Sequence, residues 1–202
     1  APPRTKHTLV LDLDETLVHA SAVPLARHDF SFHFSFGGAL HTMYVRKRPF
    51  LEAFFNHLLV HAASWEVVIF TASVRAYADA LLDILDPARE LLTLRLYRDH
   101  CCPIDASYTK DLSVFAREMP HLVLVDNTPI SFAYQPQNAI PVVTWRHDDG
   151  EAALVEQRRP PPRLRTARPH PPPWAVGRRA AASAARLRPP QSCGLSASHL
   201  LL

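Results

Sequence analysis

Thr8-Leu9-Val10-Leu11-Asp12-Leu13-Asp14-Glu15-Thr16 is the stretch on which the reading turns. A short apolar, β-prone run stops abruptly at two carboxylates spaced i, i+2. Carboxylates leaving the end of a strand at that spacing reach one site through the turn that follows. One can then attack as a nucleophile while the other gives and takes protons, according to their different environments. Attack of a carboxylate on an anionic phosphate monoester needs a cation, and hard oxygen ligands favour Mg²⁺. Asp-x-Asp is also a common polar loop or helix cap, so the motif leaves both readings open.

The same pattern recurs along the chain. Trp65-Glu66-Val67-Val68-Ile69-Phe70 runs into Thr71-Ala72-Ser73, and His121-Leu122-Val123-Leu124-Val125 runs into Asp126-Asn127. Ala139-Ile140-Pro141-Val142-Val143 is a weaker fourth run. Continuous apolar strands fit a sheet covered on both faces. Helical patterns fall between them: one from Pro49 at its first position to about Ala63, one from Val74 to Asp86, and a short one over Leu112–Glu118. Strands alternating with helices predict a parallel α/β sheet with right-handed crossovers and a site at the carboxyl ends of its strands. Phe30, Phe32, Phe34 and Phe36 alternate with polar residues before Gly37-Gly38 and Leu40–Val45, which predicts an inserted β-hairpin. Its aromatic face suits either core packing or substrate contact.

Further polar groups fall where the strands end. Thr71 and Ser73 suit phosphate binding at a helix N-terminus or simple helix capping. Lys110, in Tyr108-Thr109-Lys110-Asp111-Leu112, suits a partner for phosphoryl charge or a solvated surface cation. Asp126 and Asn127 suit metal ligation or an Asx-turn before Pro129. Four such places in order, three of them on strand ends, favour a common chemistry over a series of turns.

Leu9–His19 resembles the signature of the haloacid dehalogenase superfamily, and in particular the small phosphatases of the RNA polymerase II C-terminal domain and their Dullard-type relatives. Val45-Arg46-Lys47-Arg48-Pro49, Phe70-Thr71-Ala72-Ser73, Tyr77-Ala78-Asp79, Tyr97-Arg98, Tyr108–Ser113, Val125–Pro129 and Pro136–Val142 are similar to the same branch. The resemblance spans about residues 8–145. It implies a Rossmann-like parallel sheet with an inserted hairpin flap and no large cap domain. It also implies a Mg²⁺-dependent protein serine/threonine phosphatase that forms a phospho-aspartate and acts on flexible phosphopeptide segments. Asp12 is then nucleophile and metal ligand, and Asp14 general acid/base with its backbone carbonyl on the metal. Thr71 and Lys110 hold the phosphoryl group, Asn127 is a further Mg²⁺ ligand, and Asp126 orients Lys110 or a metal-bound water. Arg98 meets the substrate phosphate, and Phe34, Phe36, Val74 and Tyr77 line an apolar peptide pocket. Ala22 stands where the small phosphatases carry Phe, so that pocket should differ in shape. Independently, the spacing between Asp14, Thr71 and Lys110 leaves no room for a sizeable cap, which suits a protein segment better than a metabolite. A binding module without activity is the alternative, and intact Asp12, Asp14, Lys110 and Asn127 argue against it.

Composition divides the 202 residues in two. Residues 1–146, the expected phosphatase domain, carry 13 Lys and Arg against 15 Asp and Glu, a net of −2. Residues 147–202 carry 9 against 4, a net of +5, so the basic character is no argument for nucleic-acid binding by the core. This Pro/Arg/Ala-rich tail is expected to be disordered, and it departs from the leucine-rich terminal helix that follows the tryptophan matching Trp145 in the family. Adjacent Cys101 and Cys102 with remote Cys193 fit neither a disulfide framework nor a zinc site, which points to a reducing compartment. No apolar run is long enough to span a membrane. The chain opens at Ala1 without a methionine, so an upstream anchor is an open expectation. The expected location is nuclear or cytoplasmic, with nuclear-envelope association through such a segment, and the expected state is a monomer.

Overall fold

In the computed structural model, residues 6–146 are described, and the expectations for residues 147–202 lie outside them. The core is a five-stranded parallel sheet of β1 (His7–Leu11), β5 (Trp65–Phe70), β6 (Leu92–Leu96), β9 (Leu122–Asp126) and β10 (Ala139–Pro141). Its order is β10-β9-β1-β5-β6. Alternate residues enter two separate cores. Leu9, Leu11, Val67 and Ile69 pack against α1 (Leu51–Val60) and α2 (Arg75–Leu85), while Val10, Phe70, Leu96 and Leu124 pack against Leu112 and Val114 on the other face. Burial on both faces is the reason these strands read as continuous apolar runs.

The polar groups converge because β1 lies between β9 and β5, where the strand order reverses. Leu11 pairs with both Ile69 and Val125, which places Asp12 level with the ends of the two neighbouring strands.

The insert is larger than a hairpin. β3 (Phe30–Phe36) and β4 (Ala39–Lys47) pair across Gly37-Gly38, whose φ values of 61° and 78° suit a two-residue turn that glycine accommodates freely. β2 (Val18–Ser21) adds a third strand on the far side of β4. A further small ribbon joins β7 (Cys102–Ile104) to β8 (Ser107–Thr109).

Two helices differ from expectation. Helix α1 begins at Leu51 rather than Pro49, because Phe50 adopts a left-handed φ of 68°. It ends at Val60, where the chain turns into β5. The third predicted helix is only a 3₁₀ turn, Leu112–Phe115, stopped by Ala116 at φ 48° and followed by a second turn containing Pro120. The left-handed backbone at Ala116 leaves the helical region, so the pattern does not run on as one helix. Helix α2 falls within its predicted span, with Val74 and Asp86 as its caps. Among the described residues no helix is long and apolar enough to cross a membrane.

Candidate active site

Asp12 leaves β1 with its backbone N–H donating to Val125 O at 3.0 Å. Its carboxylate is buried and held at both oxygens: Lys110 Nζ donates to Oδ1 at 2.7 Å, and Thr16 Oγ1 to Oδ2 at 2.7 Å. Thr16 returns to Asp12 because the chain winds tightly after Asp14. Glu15 takes a left-handed φ of 62°, and the Leu17 and Val18 N–H groups both donate to Leu13 O. Arg48 Nη1 then pins Thr16 O at 3.0 Å.

Lys110 follows β8 and is only 1% exposed, which removes the surface-cation reading. Its ammonium also donates to Asp126 Oδ2 at 2.6 Å and lies 5.9 Å from the Phe70 ring centroid. Burial opposes charge on this amine. The neighbouring Asp12 and Asp126 carboxylates more than offset that, so Lys110 titrates above the ordinary lysine range. Asp126 Oδ1 accepts the Thr128 N–H at 2.8 Å, so this residue orients Lys110 and forms the Asx-turn as well.

Asp14 is held by a different set. Tyr77 OH donates to its Oδ1 at 2.5 Å and Ser73 Oγ to its Oδ2 at 2.7 Å, with Thr71 Oγ1 at a longer 3.5 Å. Burial pushes this carboxyl above the usual carboxylate range, against the bonds from Tyr77 and Ser73 and with the help of the nearby Asp12 and Glu15 charges. Thr71 serves locally too: its Oγ1 accepts the Ser73 N–H at 3.0 Å, ahead of α2, whose N-cap Val74 supplies no side-chain cap.

Asn127 stands beside the Asp12 group. Its Oδ1 accepts from Thr16 Oγ1 and Thr128 Oγ1, each at 3.3 Å, and its amide donates to Thr144 Oγ1 at 3.1 Å. Among the described residues no group of three or more His, Cys, Asp or Glu side chains could hold a metal ion. The oxygens gathered here are instead the Asp12 carboxylate and the Asn127 amide oxygen, both reached by Thr16 Oγ1. These are hard oxygens, and the carboxylates of Asp12 and Asp126 outnumber the single ammonium between them. That chemistry fits Mg²⁺.

The residues expected to line a peptide pocket are only partly gathered. Phe34 meets the Tyr77 ring edge-on at 5.6 Å between centroids. Val74 packs on the same core, and Phe32, not anticipated as a site residue, lies 5.8 Å from Tyr77. Tyr77 itself is buried, so it forms the floor of this cluster rather than an open wall. Phe36 stands apart near the hairpin turn, half exposed. Arg98 is exposed, its Nε donating to Ala72 O at 2.6 Å and its guanidinium 5.4 Å from the Tyr108 ring centroid.

Thr16 and the hydroxyl of Tyr77 had not been expected as partners of the two aspartates. The signal for Thr16 was its position four residues beyond Asp12, across a turn that brings the two side chains together.

Known proteins share this arrangement of strands and motifs. The chain is 42% identical over 151 residues to CTD small phosphatase-like protein 3 of Caenorhabditis elegans, covering 75% of this chain and 52% of that protein. It is 38% identical over 151 residues to CTD small phosphatase-like protein of Homo sapiens, covering 75% and 53%. It thus spans about half the length of these relatives. Its fold is similar to that of Fcp1, an essential RNA polymerase II CTD phosphatase, with a TM-score of 0.60 and 25% identity over 70% of this chain and 42% of that one. The family model of NLI interacting factor-like phosphatases matches residues 7–160, which take in β1 to β10 and every site residue above, and the chain belongs to that family within the haloacid dehalogenase superfamily.

Proposed function

We propose that this chain is a Mg²⁺-dependent protein serine/threonine phosphatase that works through a phospho-aspartate on Asp12. The observation that carries the reading is the contrast between the two aspartates. Asp12 is bonded by the Lys110 ammonium and the Thr16 hydroxyl, whereas Asp14 is bonded only by neutral hydroxyls and burial pushes it toward its protonated form. Asp12 attacks phosphorus, forming the Asp12 O–P bond as the serine or threonine O–P bond breaks. Asp14 delivers a proton to the departing oxygen. Asp14 then takes a proton from water as that water attacks the phospho-aspartate, releasing phosphate and restoring both carboxyl groups. Lys110, Thr71 and Arg98 bind phosphoryl oxygens. Asp12, Asn127 and the Asp14 carbonyl would hold Mg²⁺, which supplies neutralisation of phosphoryl charge.

A flexible phosphopeptide is the substrate the architecture favours. Between Asp14 and Thr71 lie only the three-stranded insert, α1 and the core strand β5, so no cap domain is built there. The relatives are named for the RNA polymerase II C-terminal domain, and that segment or a regulatory protein of similar flexibility is the substrate class proposed here.

Hydrolysis of p-nitrophenyl phosphate, with and without Mg²⁺, by wild type and Asp12→Asn tests the reading. Turnover that needs Mg²⁺ and disappears in the variant is expected. Undiminished turnover in the variant, or none in a wild-type chain shown by circular dichroism to be folded, overturns it.

A further inference from the structure

We infer that Tyr77, together with Ser73, is a positioning residue for proton delivery by Asp14, a role that rests on the function proposed above. The two oxygens of Asp14 are claimed separately, Oδ1 by the Tyr77 phenol at 2.5 Å and Oδ2 by the Ser73 hydroxyl at 2.7 Å. Two donors on the two oxygens fix the plane of the carboxyl and its rotation about the Cβ–Cγ bond.

The phenol is itself held by packing. Tyr77 is 7% exposed, its ring lies 5.8 Å from Phe32 and 5.6 Å from Phe34, and its neighbours Ala78, Leu81 and Leu82 are buried in the same core. Ser73 is fixed in turn, its N–H on Thr71 Oγ1 and its carbonyl accepting from Arg98 N–H at 3.0 Å. An acid rotated away from the departing oxygen loses its effect, since proton transfer requires hydrogen-bond reach.

The step affected is cleavage of the ester O–P bond, in which the Asp14 proton passes to the leaving oxygen while the Asp12 O–P bond forms. A good leaving group such as p-nitrophenolate departs with little help, whereas phenolate and the serine alkoxide need the proton. Tyr77→Phe in the full chain keeps the ring and deletes the bond. The test measures kcat/KM over a series of aryl phosphates of rising leaving-group pKa, all too small to depend on a peptide pocket. The expected result is a steeper fall of kcat/KM with leaving-group pKa in the variant. It should be roughly ten-fold or more for phenyl phosphate, against a two- to three-fold loss for p-nitrophenyl phosphate. Ser73→Ala should steepen the series in the same sense and guards against a Tyr77 variant that fails to fold. A uniform loss across the series in folded variants, or none, overturns the inference and leaves Tyr77 as a packing residue. Absence of turnover in wild type overturns the proposed function and this inference with it.

Discussion

Replacing Lys110 by Met tests the electrostatic core of the site through stability alone, without recourse to activity. Lys110 is 1% exposed, Asp12 7% and Asp126 1%, and the ammonium donates to both carboxylates at 2.7 and 2.6 Å. Methionine preserves most of the volume, so the change removes charge rather than opening a cavity. Two buried carboxylates are then left facing each other without a cation. Breaking a buried ion pair from one side costs about 3–5 kcal/mol. That is a large share of the roughly 5–15 kcal/mol by which domains are stable. With a urea slope of about 1–3 kcal/mol per M, the unfolding midpoint in EDTA should fall by roughly 1–5 M. Adding Asp126→Asn removes one of the stranded charges and should recover part of the loss. Mg²⁺ should recover more, because a cation that binds only the folded chain at about 100 times its Kd adds about 2.7 kcal/mol. A Lys110→Met chain whose midpoint in EDTA matches wild type, or one whose midpoint neither Asp126→Asn nor Mg²⁺ raises, would refute this account.

Asp14→Asn should raise the unfolding midpoint at neutral pH in EDTA while abolishing turnover. A carboxyl whose folded pKa lies above its unfolded value contributes stability below the unfolded pKa and loses it as pH rises through the folded one. The advantage of the variant in urea titrations should therefore shrink as pH falls from above the ordinary carboxylate range down to it, and an advantage that grows over that window would contradict the cause assigned. Cys101 is buried, and burial pushes its thiol up to about 11, so at pH 8 only about one molecule in a thousand carries the thiolate. Iodoacetamide followed by peptide mapping should leave Cys101 unmodified until urea unfolds the chain, and rapid labelling of the native protein would show the site to be open.

The strands that carry chemistry were legible because burial on both faces leaves a continuous apolar run, and each run ends in polar residues. The strands that were not legible lack one of those marks. Leu92-Thr93-Leu94-Arg95-Leu96 alternates as an edge strand should, but it is short, and Arg95 finds its partners Asp79 and Asp83 only on the helix packed beside it. β2 is four residues long and becomes a strand only through its pairing with β4. Cys102-Pro103-Ile104 contains a proline, which argues against a strand except at an edge, where it lies.

The site shows the same division between what spacing determines and what packing determines. An i, i+2 pair of aspartates at a strand end is enough to bring two carboxyl groups to one place, but their spacing is symmetric as to role. What breaks the symmetry arrives from elsewhere in the chain. Lys110, 98 residues beyond Asp12, comes to one of them by way of β8, and Tyr77, 63 residues beyond Asp14, comes to the other by the rotation of α2 about its axis. Tyr77 is expected as a pocket wall only through the family resemblance, and nothing in its local sequence assigns its hydroxyl a partner. Its hydroxyl becomes a partner of Asp14 only because Ala78, Leu81 and Leu82 on the same helix turn it inward against the sheet. The ammonium beside one aspartate and its absence beside the other are consequences of helix and strand packing, and the division of roles proposed for the pair rests on that asymmetry.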